Sequence, residues 1–172
     1  MEGLLRTWRR LLAALYGRLP ALPALAASRW ERQAGEQIPW SPARIPLTEA
    51  TIALVTSAGV HLRREQPFDM VNPAGDASFR VIPGDVAPRD LTITHDYYDH
   101  RAADRDVNCV FPLERLRELA AAGKVGRIAG RHIGTMGHIL GTEERRLVTE
   151  TAPAIAKLLV DDHVDYVIAA PG

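Results

Sequence analysis

The segment "HDYYDH", residues 95–100, contains the densest group of side chains in the sequence that could do chemistry. Its imidazoles and carboxylates could bind a metal ion or transfer protons. His95 and His100 are five residues apart, which places them about 140° apart on a helix and on opposite faces of a strand. We therefore predict no metal site here. Two interpretations remain open: His95 transfers protons in a pocket, with Asp96 orienting its ring, or the segment is a polar loop whose aspartates form turns and caps.

A second unusual stretch is "GKVGRIAGRHIGTMGHILG", residues 123–141, which contains six glycines together with His132 and His138. It has neither the G-x-G-x-x-G pattern of dinucleotide-binding proteins nor the P-loop pattern, so it does not indicate a nucleotide site. Glycines at this density permit a close approach of the backbone to an anion or a partner. An irregular loop without a ligand is the alternative.

Two other residues, His61 and Cys109, have side chains that could take part in binding or catalysis. His61 is followed by two arginines in "GVHLRREQPFD", and these could bind a carboxylate, although solvated surface charge is the usual role of such residues. The single cysteine, Cys109, excludes an internal disulfide and any C-x-x-C motif. We predict that Cys109 is a small core residue rather than a nucleophile. One cysteine fits a reducing compartment, so we expect a cytoplasmic protein.

Composition limits the class of protein. The 172 residues are 47% hydrophobic, which suffices for one globular domain with a core. Acidic and basic residues number 21 each, so charge indicates neither nucleic acid nor an acidic partner. Apolar runs stay below the roughly 18 residues of a membrane-spanning helix, so we expect no helix that crosses a membrane. Whether the N-terminal segment packs on its own domain, on a partner or on a membrane surface is left open, with the membrane the least favoured.

The N-terminal residues 1–37 form a separate segment. Leucines and aromatic residues recur there at helical spacing, which predicts an amphipathic helix. A signal peptide is the alternative, but Arg18 and Pro20 interrupt the apolar stretch. The proline-rich stretch 38–50 begins a second region, 38–172.

That second region alternates strands with helices, which predicts an α/β domain with a largely parallel sheet of four or five strands and flanking helices. The helix 142–162 has Thr142 as its predicted N-cap and a kink near Pro153. The predicted strands are 51–60, 77–84, 91–95, 125–129 and 165–170, and the other predicted helix is 112–123.

Ligands of an open parallel sheet bind outside the carboxyl ends of its strands. We therefore predict a pocket at that edge, close to Gly172, which follows the last strand. The candidate pocket residues are His61, His95, Asp96, His100, His132 and His138.

Longer motifs resemble a known family. "IALVTSAGVHL", "GDASFRVIPGDV", "LTITHDYYDHRAADRDVNCVFPLERLRELAAAGKVG" and "MGHI" are similar to the B component of the glycine, sarcosine and betaine reductases and to the related D-proline reductase subunit. The resemblance extends over residues 38–172 in unbroken order and leaves 1–37 outside.

The resemblance implies reductive cleavage of a carbon–nitrogen bond in a small amino acid or an N-methylated amine. It implies a selenocysteine or cysteine nucleophile, a partner subunit with a pyruvoyl group that holds the substrate, and a thioredoxin-type dithiol as electron donor. It implies no cofactor in this chain itself.

The resemblance also implies that the nucleophile follows a strand like "VDYVIAAPG", so we expect it just beyond Gly172. No residue of this sequence matches it. Because selenocysteine is encoded by UGA, which is ordinarily a stop codon, we expect these residues to be the N-terminal part of a longer selenoprotein, inactive alone. A boundary chosen for expression and a true stop codon are the alternatives.

Two other classes of function remain open. One is a binding or assembly subunit that performs no chemistry. The other is a metal-dependent hydrolase that uses His61, His95 and His132.

Overall fold

A computed structural model describes residues 41–172 and, within the N-terminal segment, residues 7, 8, 11–13 and 15. Those few N-terminal residues are helical, as predicted, and the rest of the predicted N-terminal helix lies outside the described residues. The chain divides into two compact units. One comprises Met1–Arg44 and Asp96–Asp99, and the other comprises Ile45–His95 and His100–Gly172. All strands and helices named below belong to the second unit.

The described part of the chain contains seven strands: β1 Thr51–Thr56, β2 Val60–Leu62, β3 Phe79–Pro83, β4 Leu91–Ile93, β5 Arg127–Ile128, β6 Arg131–Thr135 and β7 Tyr166–Ala170. Five of them form one sheet around a central strand, β1. β1 is parallel to β5 at its start and to β6 at its end, and parallel to β7 along its other side. β3 is antiparallel to β6 at the far side.

The apolar sequence of β1 explains its central place. Ile52, Ala53 and Leu54 follow one another without alternation and are all buried. A strand of this kind needs cover on both faces, which is typical of parallel sheets. The predicted α/β class is confirmed, with the antiparallel β3 making the sheet mixed rather than wholly parallel.

The first predicted strand, 51–60, is interrupted. β1 ends at Thr56, and the backbone turns at Gly59, whose φ of 73° lies in the left-handed region that favours glycine. A Cβ on Gly59 would lie 2.4 Å from the carbonyl oxygen of Thr94. The chain then continues as β2, which pairs with β4 in a separate antiparallel two-stranded sheet.

The glycine-rich stretch is not the predicted strand 125–129 followed by a loop. It forms two strands, β5 and β6, that pair successively with β1. The step from Ile52 to Val55 in β1 covers three residues, whereas the opposite step from Ile128 to Ile133 covers five. Two extra residues therefore bulge out between β5 and β6.

Gly134, within β6, is required by a close backbone approach. A Cβ there would lie 2.0 Å from the carbonyl oxygen of Val60. β2 could therefore not approach β6 this closely if position 134 held a larger residue. We expect Gly134→Ala to reduce the free energy of unfolding by about 2–3 kcal/mol, measured by urea unfolding. Gly130→Ala is the matched control, since a Cβ at Gly130 meets nothing within 4 Å. Equal stability of the two variants would contradict this packing.

The helices follow the sequence signals with two corrections. Gly123 (φ 66°) ends α2, as predicted, but Pro112 is the N-cap rather than a first-turn residue. The predicted helix 142–162 is irregular: Ala152 N–H bonds to Leu147 O in a π-helical turn just before Pro153. Gly141, not Thr142, is its N-cap. The helices are α1 Arg101–Arg105, α2 Leu113–Ala121, α3 Thr142–Arg146 and α4 Ala152–Asp161.

None of the helices among the described residues is both long enough and apolar enough to cross a lipid bilayer.

Candidate functional site

The parallel strands β1 and β7 end side by side. Ser57, the first residue after β1, donates its N–H to the carbonyl oxygen of Ala170 at 3.1 Å. The N–H of Gly172 in turn donates to Ser57 Oγ at 3.4 Å. A Cβ on Gly172 would lie 2.5 Å from Ala58 Cα, so the backbone at 172 passes directly against the loop that follows β1.

Two further residues join this place. The N–H of Gly137, after β6, donates to His95 Nε2 at 3.3 Å. A Cβ on Gly137 would lie 3.0 Å from Ser57 O and 3.3 Å from His95 Nε2. We call Ser57, His95, Gly137 and Gly172 the carboxyl edge. These contacts place His95 at the same edge of the sheet as Gly172. That this edge is a substrate pocket stays a prediction.

His95 is a buried residue whose Nε2 meets the backbone of an exposed glycine. His95 is 6% exposed, whereas Gly137, whose N–H donates to Nε2, is exposed. Because the Gly137 N–H donates, Nε2 is an acceptor in this arrangement, and a neutral ring has its proton on Nδ1. Nε2 has one lone pair, so it can accept and return a proton only when the Gly137 N–H, at 3.3 Å, releases it.

His61 does not belong to the carboxyl edge, contrary to the prediction. It lies in β2, and its Nδ1 is 2.8 Å from the carbonyl oxygen of Leu62 and its Nε2 2.8 Å from Thr94 Oγ1. A carbonyl only accepts, so Nδ1 donates and Nε2 accepts from the hydroxyl. Burial lowers the pKa of His61, which keeps the ring neutral. His61 is therefore a structural residue with both ring nitrogens satisfied.

The prediction also placed His132 wrongly. It expected His132 to follow a strand 125–129, whereas His132 is the second residue of β6, which begins at Arg131. Its Nδ1 accepts the N–H of Leu54 at 3.0 Å, at the point where the bulge separates β5 from β6. The imidazole thus accepts a hydrogen bond from β1 at a point where neither β5 nor β6 pairs with that strand. Its Nε2 is buried without a hydrogen-bond partner and its ring meets Phe111 edge-on. Burial lowers the pKa of His132 to about 4.

The remaining candidates lie in other surroundings. His100 immediately precedes α1, and its Nδ1 is 2.8 Å from a carboxylate oxygen of Asp104 in that helix. His138 donates from Nε2 to the carbonyl oxygen of Pro73 at 3.1 Å. Asp96 is buried and belongs to the other compact unit. Its role in orienting His95 stays a prediction.

A metal site built on His61, His95 and His132 is contradicted by these positions. His61 belongs to the two-stranded sheet with both nitrogens engaged, and His132 bonds to the backbone of β1. Across the described residues, no three His, Cys, Asp or Glu side chains are grouped so as to hold a metal ion.

Cys109 is exposed, so the prediction of a core cysteine is wrong. It ends a short 3₁₀ turn, and the residues that follow it, Val110 and Phe111, are buried in its place.

Sequence reasoning missed two residues of the carboxyl edge, Ser57 and Gly137. Ser57 directly follows β1, and Gly137 is the second residue after β6. The predicted strand limits at 60 and 129 hid both positions. Ending the first strand at Thr56, where the small residues "SAG" begin, would have identified Ser57.

The glycine/sarcosine/betaine reductase selenoprotein B family model matches residues 29–171. The D-proline reductase subunit gamma of Acetoanaerobium sticklandii is 40% identical over 133 residues, which are 77% of this chain and 53% of that subunit. The glycine reductase complex component B subunit gamma of Carboxydothermus hydrogenoformans is 33% identical over 137 residues, which are 77% of this chain and 30% of that subunit.

A third relative, the sarcosine reductase complex component B subunit beta of Peptoclostridium acidaminophilum, is 26% identical over 137 residues, again 77% of this chain and 30% of the relative. This chain therefore spans about half of the D-proline reductase subunit and about a third of the others. No solved structure matches it significantly.

Proposed function

We propose, because this chain belongs to the glycine/sarcosine/betaine reductase selenoprotein B family, that it is part of a subunit that reductively cleaves a carbon–nitrogen bond in a small amino acid or an N-methylated amine. The observation that supports this most is the carboxyl edge, where His95 Nε2 lies behind Gly137 and the backbone of Gly172 passes Ser57. Ligands of parallel sheets bind at this edge.

The proposed reaction balances with one dithiol per bond cleaved. The carbon–nitrogen bond of the substrate breaks, and carbon and nitrogen each gain one hydrogen. The two electrons and two protons come from the dithiol, which is oxidised to a disulfide. A thioredoxin-type protein is the proposed donor, and a pyruvoyl group on a partner subunit would hold the substrate.

Within this scheme the chain provides one wall of the site. The reacting selenol or thiol is proposed to follow Gly172, where Ser57 holds the backbone at the carboxyl edge. A selenolate or thiolate is the form that attacks. His95 is proposed to accept and return the proton that the departing amine requires, since its Nε2 is the basic nitrogen at this edge.

The 172-residue chain alone is expected to show no reductase activity, because the proposed nucleophile lies beyond it. Purified chain is incubated with dithiothreitol and glycine, sarcosine, betaine or D-proline, and cleaved product is measured by mass spectrometry. Because Cys109 is an exposed thiol, the Cys109→Ala variant is assayed in parallel. Turnover that survives this substitution would contradict the proposal.

The matching positive test extends the chain. The natural gene is sequenced beyond codon 172, any coding sequence found there is translated with cysteine at an in-frame UGA codon, and the product is assayed with the same substrates and its partner subunits. Dithiol-dependent cleavage supports the proposed function. Stable binding of the partner subunits without cleavage would instead favour an assembly role.

A further inference from the structure

His95 lies beyond the end of β4, so the pairing of that strand with β2 does not fix its position. β4 ends at Ile93, which is opposite Val60 of β2. Thr94 and His95 follow outside any strand. The backbone from which the His95 ring projects therefore depends on the contacts that hold Thr94.

Thr94 is held at three points. Its N–H donates to the carbonyl oxygen of Gly59 at 2.9 Å. Its own carbonyl oxygen is so close to Gly59 that a Cβ there would lie 2.4 Å away. Its hydroxyl donates to His61 Nε2 at 2.8 Å. Because a β-branched side chain has few rotamers and these depend on the backbone angles, a hydrogen bond at Oγ1 also restrains the backbone of Thr94.

His61 is itself held in one orientation. It is 2% exposed, and its Nδ1 donates to the carbonyl oxygen of Leu62 at 2.8 Å. The ring of Phe68 is nearly perpendicular to the imidazole, with 5.8 Å between the ring centroids, and the Arg80 guanidinium lies 4.3 Å from the centre of the Phe68 ring. Burial lowers the pKa of His61, so the ring stays neutral and Nε2 stays an acceptor. The Thr94 hydroxyl thus has a rigid partner.

We propose that His61 is a positioning residue for His95. Through the Thr94 hydroxyl it fixes the backbone at residue 94, and this directs the His95 ring to the carboxyl edge, where Nε2 meets the Gly137 N–H. His61 acts through Thr94 and takes no part in proton transfer. Its importance for turnover rests on the function proposed for His95, whereas its effect on the orientation of the His95 ring does not.

The tautomer of His95 is the readout that separates positioning from a merely structural role. Because Nε2 accepts the Gly137 N–H, the proton of the neutral ring is on Nδ1. The NMR shifts of the two ring nitrogens of His95 should report this form in the 172-residue chain. Thr94→Val removes the hydroxyl and should give a mixture of both tautomers, together with a shifted Gly137 amide signal. A merely structural contact would lower the Tm without changing the tautomer.

Three further variants control this measurement. Thr94→Ser keeps the hydroxyl and should retain the proton on Nδ1. Thr92→Val should do the same, since Thr92 is half-buried like Thr94 but lies two residues earlier, in β4. His61→Leu removes the acceptor of the same hydrogen bond, so it should match Thr94→Val, and so should the variant with both substitutions. The Tm of each variant shows whether the fold is kept.

The effect on turnover is measured in the proposed reductase complex. Thr94→Val should lower kcat by at least about tenfold while KM changes by less than about threefold, because a displaced His95 affects the chemical step. An unchanged His95 tautomer in both Thr94→Val and His61→Leu would overturn the inference, and so would full kcat in Thr94→Val. The NMR measurement uses no substrate. A changed tautomer in a complex that cleaves none of the proposed substrates would therefore support the positioning by His61 and contradict the proposed function.

Discussion

Replacing His95 with glutamine in the proposed reductase complex is expected to lower kcat by about 10²- to 10⁴-fold, the usual contribution of a general acid–base group. Glutamine presents an acceptor oxygen where Nε2 meets the Gly137 N–H, so it preserves that hydrogen bond. It cannot accept a proton at neutral pH. The variant therefore separates proton transfer from the positioning of Gly137.

The control for this prediction is His100→Gln. His100 immediately precedes α1, and its Nδ1 pairs with a carboxylate oxygen of Asp104 in that helix. It should retain kcat within about threefold of the unmodified enzyme. Thermal unfolding of both variants checks that the fold is kept. A His95→Gln enzyme with full kcat would remove the proposed proton transfer and leave His95 as a structural residue.

The second large effect concerns the stability of the fold below neutral pH. His132 is buried, and its pKa is lowered from about 6.5 to about 4 by that burial. Between these two values the unfolded chain binds a proton at His132 that the folded chain does not. Stability is therefore complete above pH 6.5 and falls as pH falls toward 4. The expected loss is roughly 3 kcal/mol.

Urea unfolding of the chain and of His132→Asn, measured from pH 7 to pH 4, tests this expectation. Asparagine offers Oδ1 as an acceptor for the Leu54 N–H but has no titration in this range. The stability advantage of the unmodified chain over His132→Asn should therefore shrink by roughly 3 kcal/mol at pH 4. Parallel curves for the chain and for His132→Asn would contradict a buried, neutral His132.

Patterns in the sequence located most elements because periodicity and glycine signals are local. The apolar run at 166–170 predicted β7, and Gly123 marked the end of α2. Local patterns do not reveal a bulge, since the two extra residues between β5 and β6 become visible only in register against β1. For the same reason the predicted first strand ended at residue 60, whereas β1 ends at Thr56.

For the site, too, local patterns in the sequence were informative, whereas contacts between residues far apart in the sequence could not be predicted. His95 was found because it follows a short strand and its neighbours are polar. His61 and His132 were assigned to the same edge because the strand limits were wrong, and their true partners, Thr94 and Leu54, are 33 and 78 residues distant. Ser57 and Gly137 were missed because the predicted strand limits hid their positions and because neither belongs to a motif that indicates chemistry. Their importance comes from contacts with His95 and Gly172.

The most direct test of the account is the stoichiometry of the reaction. The protein is tagged at this chain in its native host, and the complex that it forms is purified with its partners. It is then incubated with a dithiol and, separately, D-proline, glycine, sarcosine and betaine, while disulfide and cleaved product are measured together. We predict one disulfide formed for each carbon–nitrogen bond cleaved with at least one of these substrates. Cleavage without dithiol oxidation, or no cleavage of any of them by the intact complex, would contradict it.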